Sequence, residues 1–195
     1  MPRSLSSTHA RPRAAGSAGL RRDAARGGFT LIEAAITIIV LAVAALAVLS
    51  SMTYALRLFA TNKETAAASQ AARRRLELIK TEAVTDVVAL YNADAADDPG
   101  GSGTAPGPTF AVAGLTAVTG SADDPGSVLL PLNAAGELRE DLDLAELGMP
   151  RDLNGDGLID SLDHRADVAI LPVLVRVTWN GVDGERTLFY TTVLR

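Results

Sequence analysis

The first feature of the hydrophobic pattern is one long apolar run with a single charged residue. Residues 29–49 comprise 21 positions with a single charged side chain, Glu33. At about 1.5 Å per residue, a helix of this length extends roughly 30 Å, the thickness of the hydrocarbon core of a bilayer. The pattern therefore predicts a membrane-spanning helix over residues 29–51.

A helical pattern of apolar positions continues after this run. Apolar residues recur at spacings of three and four at Leu76, Ile79, Ala83, Val87 and Leu90. No proline or glycine lies between residues 29 and 98. The pattern predicts an amphipathic helix over residues 52–92 that continues the first helix, with residues 50–51 and 61–62 as the candidate points of interruption.

The C-terminal half has the alternating pattern of a small β-sheet. Residues 169–179 and 186–194 are rich in β-branched and aromatic side chains, and a glycine-rich turn at residues 180–184 separates them. Shorter elements are expected upstream, namely strands at 110–118 and 127–132 and a helix at 141–147. These elements predict an α+β fold in which a long N-terminal helix packs on a small antiparallel sheet, with a globular β-rich head at residues 93–195. Trp179 is expected to pack in that sheet.

Charge is distributed unevenly along the chain. Residues 1–28 contain six arginines and one acid, whereas residues 29–195 contain 12 basic and 22 acidic residues. By the positive-inside rule the basic flank stays in the cytoplasm and the C-terminal side is exported. Without further information the pattern is typical of a signal anchor, or of a signal peptide that is cut among the alanines at residues 42–47.

Glu33 is the unusual residue of the apolar run. A carboxylate in the hydrocarbon region costs about 2.5–3.5 kcal/mol on insertion scales, and such residues usually have a function and a partner. Cleavage after Gly28 would create an α-amino group on Phe29, four residues before Glu33. That amine, in the same chain or in a neighbouring one, is a candidate partner for the carboxylate.

Residues 27–33 (GGFTLIE), with a basic leader before them and an apolar run after them, resemble the N-terminal signature of type IV prepilins and type II secretion pseudopilins. The resemblance implies that residues 1–28 are a leader, cleaved after Gly28 by a prepilin peptidase that then methylates the new N-terminus, Phe29. It also implies that Glu33 neutralises the N-terminus of an adjacent subunit during filament assembly.

The same resemblance implies a minor pilin or pseudopilin of a type IV pilus or type II secretion machine. Its single helix would cross the inner membrane, with the N-terminus in the cytoplasm and the head in the periplasm or in an extracellular filament. The implied partners are other pilin or pseudopilin subunits, the prepilin peptidase and an inner-membrane assembly platform. Nucleic-acid binding is not expected, because the arginines at residues 73–75 lack accompanying aromatic residues and are interpreted as a solvated face.

Residues 152–163 (DLNGDGLIDSLD) have the spacing of a twelve-residue calcium loop. The predicted ligands are the side chains of Asp152, Asn154, Asp156, Asp160 and Asp163 and the backbone carbonyl of Leu158. Aspartate at the last position resembles dockerin-type loops, although only one loop is found instead of the usual duplicated pair. We expect a structural calcium ion that orders residues 148–167, and the alternative is an acidic surface turn.

The remaining polar residues give little indication of catalysis, and no enzymatic activity is expected. His164 is expected at the surface, and its spacing from Ser161 and Asp167 is attributed to chance. The paired acids at residues 97–98 and 123–124 adjoin proline or glycine and are expected to be solvated turns. A different class of function stays open, namely a calcium-dependent binding or adhesion module on a plain signal anchor.

Overall fold

The structure, a computed structural model, describes residues 28–119 and 124–195. Except for Gly28, the predicted leader lies outside the described residues, and so does Asp123. The described elements, in chain order, are α1 (Leu31–Ile79), α2 (Val84–Tyr91), β1 (Thr109–Phe110), β2 (Gly126–Leu129), a 3₁₀ helix (Ala145–Leu147), β3 (Leu171–Gly181) and β4 (Gly184–Leu194). The predicted α+β fold, a long N-terminal helix with a small antiparallel sheet, is confirmed.

The chain divides into two compact units, residues 1–47 and 48–195. In the described part of the first unit, every large apolar side chain is exposed, from Phe29 just before α1 to Leu31, Ile32 and those that follow on the helix. The most apolar window of α1 has a mean hydropathy of 2.7, and the helix is long and apolar enough to cross a membrane. This segment is consistent with a single-pass membrane anchor.

In the second unit, α1 buries one narrow face. Its buried residues recur at helical spacing and are small or aliphatic: Ala68, Ala72, Leu76 and Ile79. The helix continues without a break through residues 50–51 and 61–62, the two points where an interruption was considered.

The break in the helical pattern instead follows Ile79. The backbone N–H of Thr81 and its hydroxyl both donate to the carbonyl of Leu78, at 3.0 and 2.7 Å. The N–H of Glu82 donates to the carbonyl of Ile79 at 3.2 Å, which tightens the last turn into a three-residue repeat. Ala83 is extended, and α2 begins after it. The apolar series expected on one helix is therefore divided between α1 and α2.

The four strands form one sheet in the order β1-β2-β3-β4, and every neighbouring pair is antiparallel. β3 and β4 pair along their whole lengths, so the predicted C-terminal hairpin is confirmed with a tighter, two-residue turn at residues 182–183. Trp179 on β3 is buried, and its indole N–H donates to the carboxylate of Glu64 on α1 at 3.2 Å. This bond joins the hairpin to the helix.

The two upstream strands are shorter than expected. β1 ends at Phe110, and Gly114 adopts a left-handed conformation with φ of 81°, so residues 111–118 do not extend the strand. Phe110 pairs with Gly126 on β2, and a Cβ at position 126 would lie 2.4 Å from the Phe110 ring. The ring therefore fills the space of the missing side chain. The helix expected at 141–147 is reduced to the 3₁₀ helix, which Gly148 closes with φ of 70°.

The three consecutive arginines of α1 are only in part a solvated face. The guanidinium of Arg73 lies 5.3 Å from the centre of the Tyr190 ring, and that of Arg75 lies 4.5 Å from the centre of the Phe110 ring. Both distances suit cation–π contacts. Arg74 remains exposed.

The acids at residues 97–98 are half-buried and hydrogen-bonded, which corrects their interpretation as solvated turns. The carboxylate of Asp97 accepts a hydrogen bond from the amide nitrogen of Asn92 at 2.8 Å. The carboxylate of Asp98 accepts the backbone N–H of Ala105 at 3.2 Å. Both acids hold the loop that follows α2.

Candidate functional site

The predicted processing segment lies at the start of α1. Gly28 and Phe29 precede the helix, and Thr30 stands at the N-cap position. The Thr30 hydroxyl accepts the backbone N–H of Glu33 at 3.3 Å, as in one half of a capping box. Glu33 also lies in the first helical turn, where the helix dipole favours a negative charge. Local helix chemistry therefore accounts for part of the Thr30–Glu33 pattern.

Gly28 is under no steric constraint from the described chain. A Cβ at this position would meet no atom within 4 Å, and the backbone is not left-handed. The described residues therefore impose no requirement for glycine at the predicted cleavage site.

The predicted calcium loop folds around the carboxylate of Asp152. One oxygen accepts the N–H of Gly155 at 2.6 Å, and the other accepts the N–H of Gly157 at 2.9 Å. Both glycines are left-handed, with φ of 84° and 85°, a conformation that side chains disfavour. The two glycines thus allow the loop to close around one carboxylate.

The next two predicted side-chain ligands are held in the same way. The side-chain oxygen of Asn154 accepts the N–H of Asp156 at 3.0 Å, and a carboxylate oxygen of Asp156 accepts the N–H of Leu158 at 2.8 Å. Each oxygen has a further lone pair. The side-chain oxygens at the first three predicted ligand positions therefore keep lone pairs that a hard cation could use.

The last predicted ligand, Asp163, is engaged elsewhere. Its carboxylate accepts the Nε–H of Arg165 at 2.9 Å and the backbone N–H of Leu138 at 3.1 Å. Burial opposes ionisation, but the bonds to Arg165 and Leu138 hold the pKa of Asp163 below its ordinary value. Arg165 also donates its backbone N–H to one carboxylate oxygen at 3.2 Å, and its Nη2 lies 2.9 Å from the other. To ligate an ion at this position, Asp163 would have to exchange one of these partners.

The side chain of Glu140 is 1% exposed and accepts hydrogen bonds from the backbone of the loop. One carboxylate oxygen accepts the backbone N–H groups of Leu153 and Asn154 at 2.6 and 3.3 Å, and the other accepts that of Asp160 at 3.2 Å. A single side chain therefore joins the two ends of the loop. This role could not be predicted from the sequence, because Glu140 stands among other charged residues, between Arg139 and Asp141.

His164 is 3% exposed, so its expected surface position is wrong. Its Nδ1 lies 3.2 Å from a carboxylate oxygen of Asp167, and its Nε2 lies 3.1 Å from one of Asp160. Two carboxylates that accept from both ring nitrogens favour the doubly protonated ring. Burial alone would lower the pKa of His164, but the bond with Asp160 and the charge of Glu140 raise it above its ordinary value of 6.5.

The spacing of Ser161, His164 and Asp167, which was attributed to chance, corresponds to a contact for two of the three residues. The structure brings His164 and Asp167 together, whereas Ser161 is exposed and shares no hydrogen bond with His164 in the described part of the chain.

One group with metal-ligand geometry occurs among the described residues. Atoms of Glu140, Asp160 and His164 lie within 4.8 Å of one another. Asp160 is the only predicted calcium ligand in this group. Leu162 donates its backbone N–H to Asp160 at 2.7 Å, and this bond together with His164 lowers the pKa of Asp160. The loop acids thus fall into three environments, around Asp152, around His164 and beside Arg165.

The comparisons with known proteins bear on the N-terminal segment alone. No curated protein and no solved structure matches the chain. The family model of the prokaryotic N-terminal methylation motif, which is type IV pilin-like, matches residues 23–49. The match covers Gly28, Phe29 and Glu33 and ends within α1, so the chain carries the N-terminal motif of type IV pilin-like precursors.

Proposed function

We propose that the chain is the precursor of a minor pilin or pseudopilin subunit, cleaved after Gly28, methylated on Phe29 and assembled into a filament. The match to the methylation motif over residues 23–49 carries this proposal. The exposed apolar side chains of α1 support it, because such a surface requires lipid or other protein chains to cover it. In this proposal a prepilin peptidase processes the chain, and an inner-membrane assembly platform adds it to other subunits of a type IV pilus or type II secretion pseudopilus.

The proposed role of Glu33 is to pair with the α-amino group that cleavage creates on Phe29 of a neighbouring copy. A carboxylate at membrane depth needs a cation, and the first 18 residues of α1 contain no basic side chain. The dipole of a neighbouring helix would add to the attraction at its N-terminus. Pairing at this depth would set the axial register between subunits.

Mass spectrometry of the mature N-terminus tests the processing step. We expect a chain that begins at methylated Phe29, and we expect the Gly28→Ala variant to keep its leader. Since a Cβ at position 28 meets no described atom, unprocessed Gly28→Ala protein would reflect the peptidase and not misfolding. An uncut wild-type chain, or one that begins after Ala47, would contradict the proposal and favour a binding or adhesion module on a signal anchor.

We further propose that residues 152–163 bind a structural calcium ion through Asp152, Asn154, Asp156, the carbonyl of Leu158, Asp160 and Asp163. The closed turn around Asp152 supports this proposal, because three of the oxygen donors already lie in one tight segment. Calcium prefers six to eight such oxygens. The ion would add stability to a loop that Glu140 already holds.

Thermal unfolding of the full chain in detergent, with calcium and with EGTA, tests the ion. At calcium concentrations about a hundredfold above Kd, the expected stabilisation is about 2.7 kcal/mol. Asp156→Asn is the matched variant, because asparagine keeps the oxygen that accepts the N–H of Leu158 and removes one ligand charge. We expect it to weaken the response to calcium. Equal melting curves of the wild-type protein in calcium and EGTA would contradict calcium binding.

A further inference from the structure

The second unit of the chain separates positive from negative charge. Residues 57–80, on and just after α1, include six basic and two acidic residues, whereas residues 82–167 include 17 acidic and three basic residues. A basic surface on one copy of the chain attracts an acidic surface on another copy, within the range that salt screening allows.

The acidic surface contains a groove of about 910 Å³, which we call the acidic groove. Its apolar floor consists of Tyr91, Val128, Leu130, Leu147 and Leu174, all buried. Its acidic lining consists of Asp94, Asp97, Asp143 and Glu146. The groove therefore suits an occupant that combines an apolar side chain with a cation.

The acids of the groove are incompletely neutralised. Glu146 pairs with Arg176. Arg165 is the one basic residue in the lining, and it pairs with Asp163 at 2.9 Å, while its distance to Asp97 is 3.9 Å.

Asp143 is an acid of the groove that is left without an ion pair. It has no ion-pair partner in the described part of the chain. A cation from an occupant could therefore pair with Asp143 without displacing another residue.

A surface with the matching chemistry lies on α1. Lys63, Arg74 and Leu78 recur at spacings of 11 and four, which places them on one helical face, opposite buried Ala72. We call this face the cationic stripe. All three side chains are exposed, Leu78 by 49%, and neither Lys63 nor Arg74 has an ion-pair partner among the residues that the structure describes.

We propose that the acidic groove of one copy receives the cationic stripe of a second copy, with Arg74 beside Asp143 and Leu78 on the apolar floor. The groove and the stripe share no residue, so this contact is head-to-tail and leaves a free groove and a free stripe at the ends. Such a contact repeats along an array. It deepens the proposed function by naming the surfaces through which subunits meet, and it rests on that function for the alignment of copies in one membrane.

Crosslinking in membranes tests the contact, because the chain contains no cysteine of its own. Two full-length chains with different tags would be co-expressed, one with Arg74→Cys and one with Asp143→Cys, and treated with a short bismaleimide. We expect at least fivefold more crosslinked dimer with both tags than from Arg74→Cys paired with Glu185→Cys. Glu185 is an exposed acid outside the groove and is the matched control.

A charge exchange provides the second measurement. With Ala67→Cys and Ala134→Cys as reporters beside the stripe and in the groove, Arg74→Glu or Asp143→Arg alone should lower the crosslink yield several-fold. The two substitutions on opposite chains should restore it. Lack of restoration, or a yield no higher than that of the Glu185→Cys control, would overturn the proposal.

Other occupants would give different products. Dimers from Asp143→Cys alone would indicate a groove-to-groove contact, and a crosslink of Asp143→Cys to another protein, independent of the Arg74→Cys chain, would assign the groove to that protein; either result overturns the proposal. The mature N-terminus, measured in the same cells, separates the two proposals. Correct processing without the crosslink removes only the contact, whereas the crosslink without cleavage after Gly28 removes the pilin-like function and leaves the contact.

Discussion

The start of α1 and the loop at residues 152–163 differ in whether the nearby carboxylate has partners within the chain. In the described N-terminal segment, Glu33 stands among exposed apolar side chains without a basic residue nearby. In the loop, Glu140 is buried and accepts three backbone N–H groups within 3.3 Å. The first arrangement is incomplete in a single chain and calls for an external partner. The second is complete within the chain, so a bound ion would reinforce the loop and would not be its sole support.

The largest effect on the stability of the head should come from Glu140→Ala. The substitution removes the acceptor of the buried N–H of Leu153 and of two part-buried N–H groups, those of Asn154 and Asp160. It also removes one of the three carboxylates near His164. Loss of one partner from such a buried arrangement lowers the free energy of unfolding by about 3–5 kcal/mol. Denaturant unfolding of the full chain in detergent, followed by the fluorescence of the single tryptophan, Trp179, measures the change.

Glu185→Ala is the control for Glu140→Ala. Glu185 is exposed near the turn of the β3–β4 hairpin, so its removal should change the free energy of unfolding by less than about 0.5 kcal/mol. If Glu140→Ala unfolds at the same denaturant concentration as Glu185→Ala, the loop is not supported from within, and the contrast with the N-terminal segment fails.

A smaller loss is expected from Gly126→Ala. The added methyl group would lie 2.4 Å from the Phe110 ring, and overpacking of this kind costs about 1–3 kcal/mol. The same unfolding experiment measures it. In a Phe110→Leu background the substitution should be less harmful, because the smaller side chain vacates part of the space, and equal losses in both backgrounds would show that the ring is not the cause.

The β3–β4 hairpin and the contact between Phe110 and Gly126 show what the sequence could and could not predict. The β3–β4 hairpin was predictable, because β-branched residues alternate on both sides of a glycine-containing turn and the pairing is local. The position of the Phe110 ring over Gly126 depends on two segments that pair across a long connection. Sequence alone therefore overestimated the length of the upstream strands.

The part of the loop site around Glu140 and His164 was not predicted, for a related reason. The ligand spacing of residues 152–163 can be read along the chain, and it identified the closed turn around Asp152. Glu140 and His164 are 24 residues apart in the sequence and meet only in the folded chain, where both are buried. Charged residues in polar stretches show no periodicity that would reveal such burial. The environment of Asp160 and Asp163 could not be predicted without those partners.

The effect of pH on the free energy of unfolding should be smaller than the effects of Glu140→Ala and Gly126→Ala. Because the pKa of His164 is raised in the folded chain, its stabilising contribution is complete below the unfolded value near 6.5 and is lost as pH rises through the folded value. In EGTA, the free energy of unfolding should therefore fall as pH rises above 6.5. The slope should be reduced in His164→Gln, which cannot take up a proton, and an unchanged slope would assign the dependence to another group.

The smallest effect on the head should come from Glu33, although its effect on assembly should be large. Glu33 lies in the other compact unit, so Glu33→Gln should change the unfolding of the head by less than about 0.5 kcal/mol. Glutamine also suits the capping box with Thr30, so the start of α1 and membrane insertion should be preserved. Glutamine cannot supply the charge that pairs with an amine. We therefore expect Glu33→Gln to enter the membrane normally and to be incorporated into filaments as poorly as Glu33→Ala, measured by the fraction of tagged subunit in sheared filaments. Normal incorporation of Glu33→Gln beside a defective Glu33→Ala would show that helix capping, and not charge pairing, explains this residue.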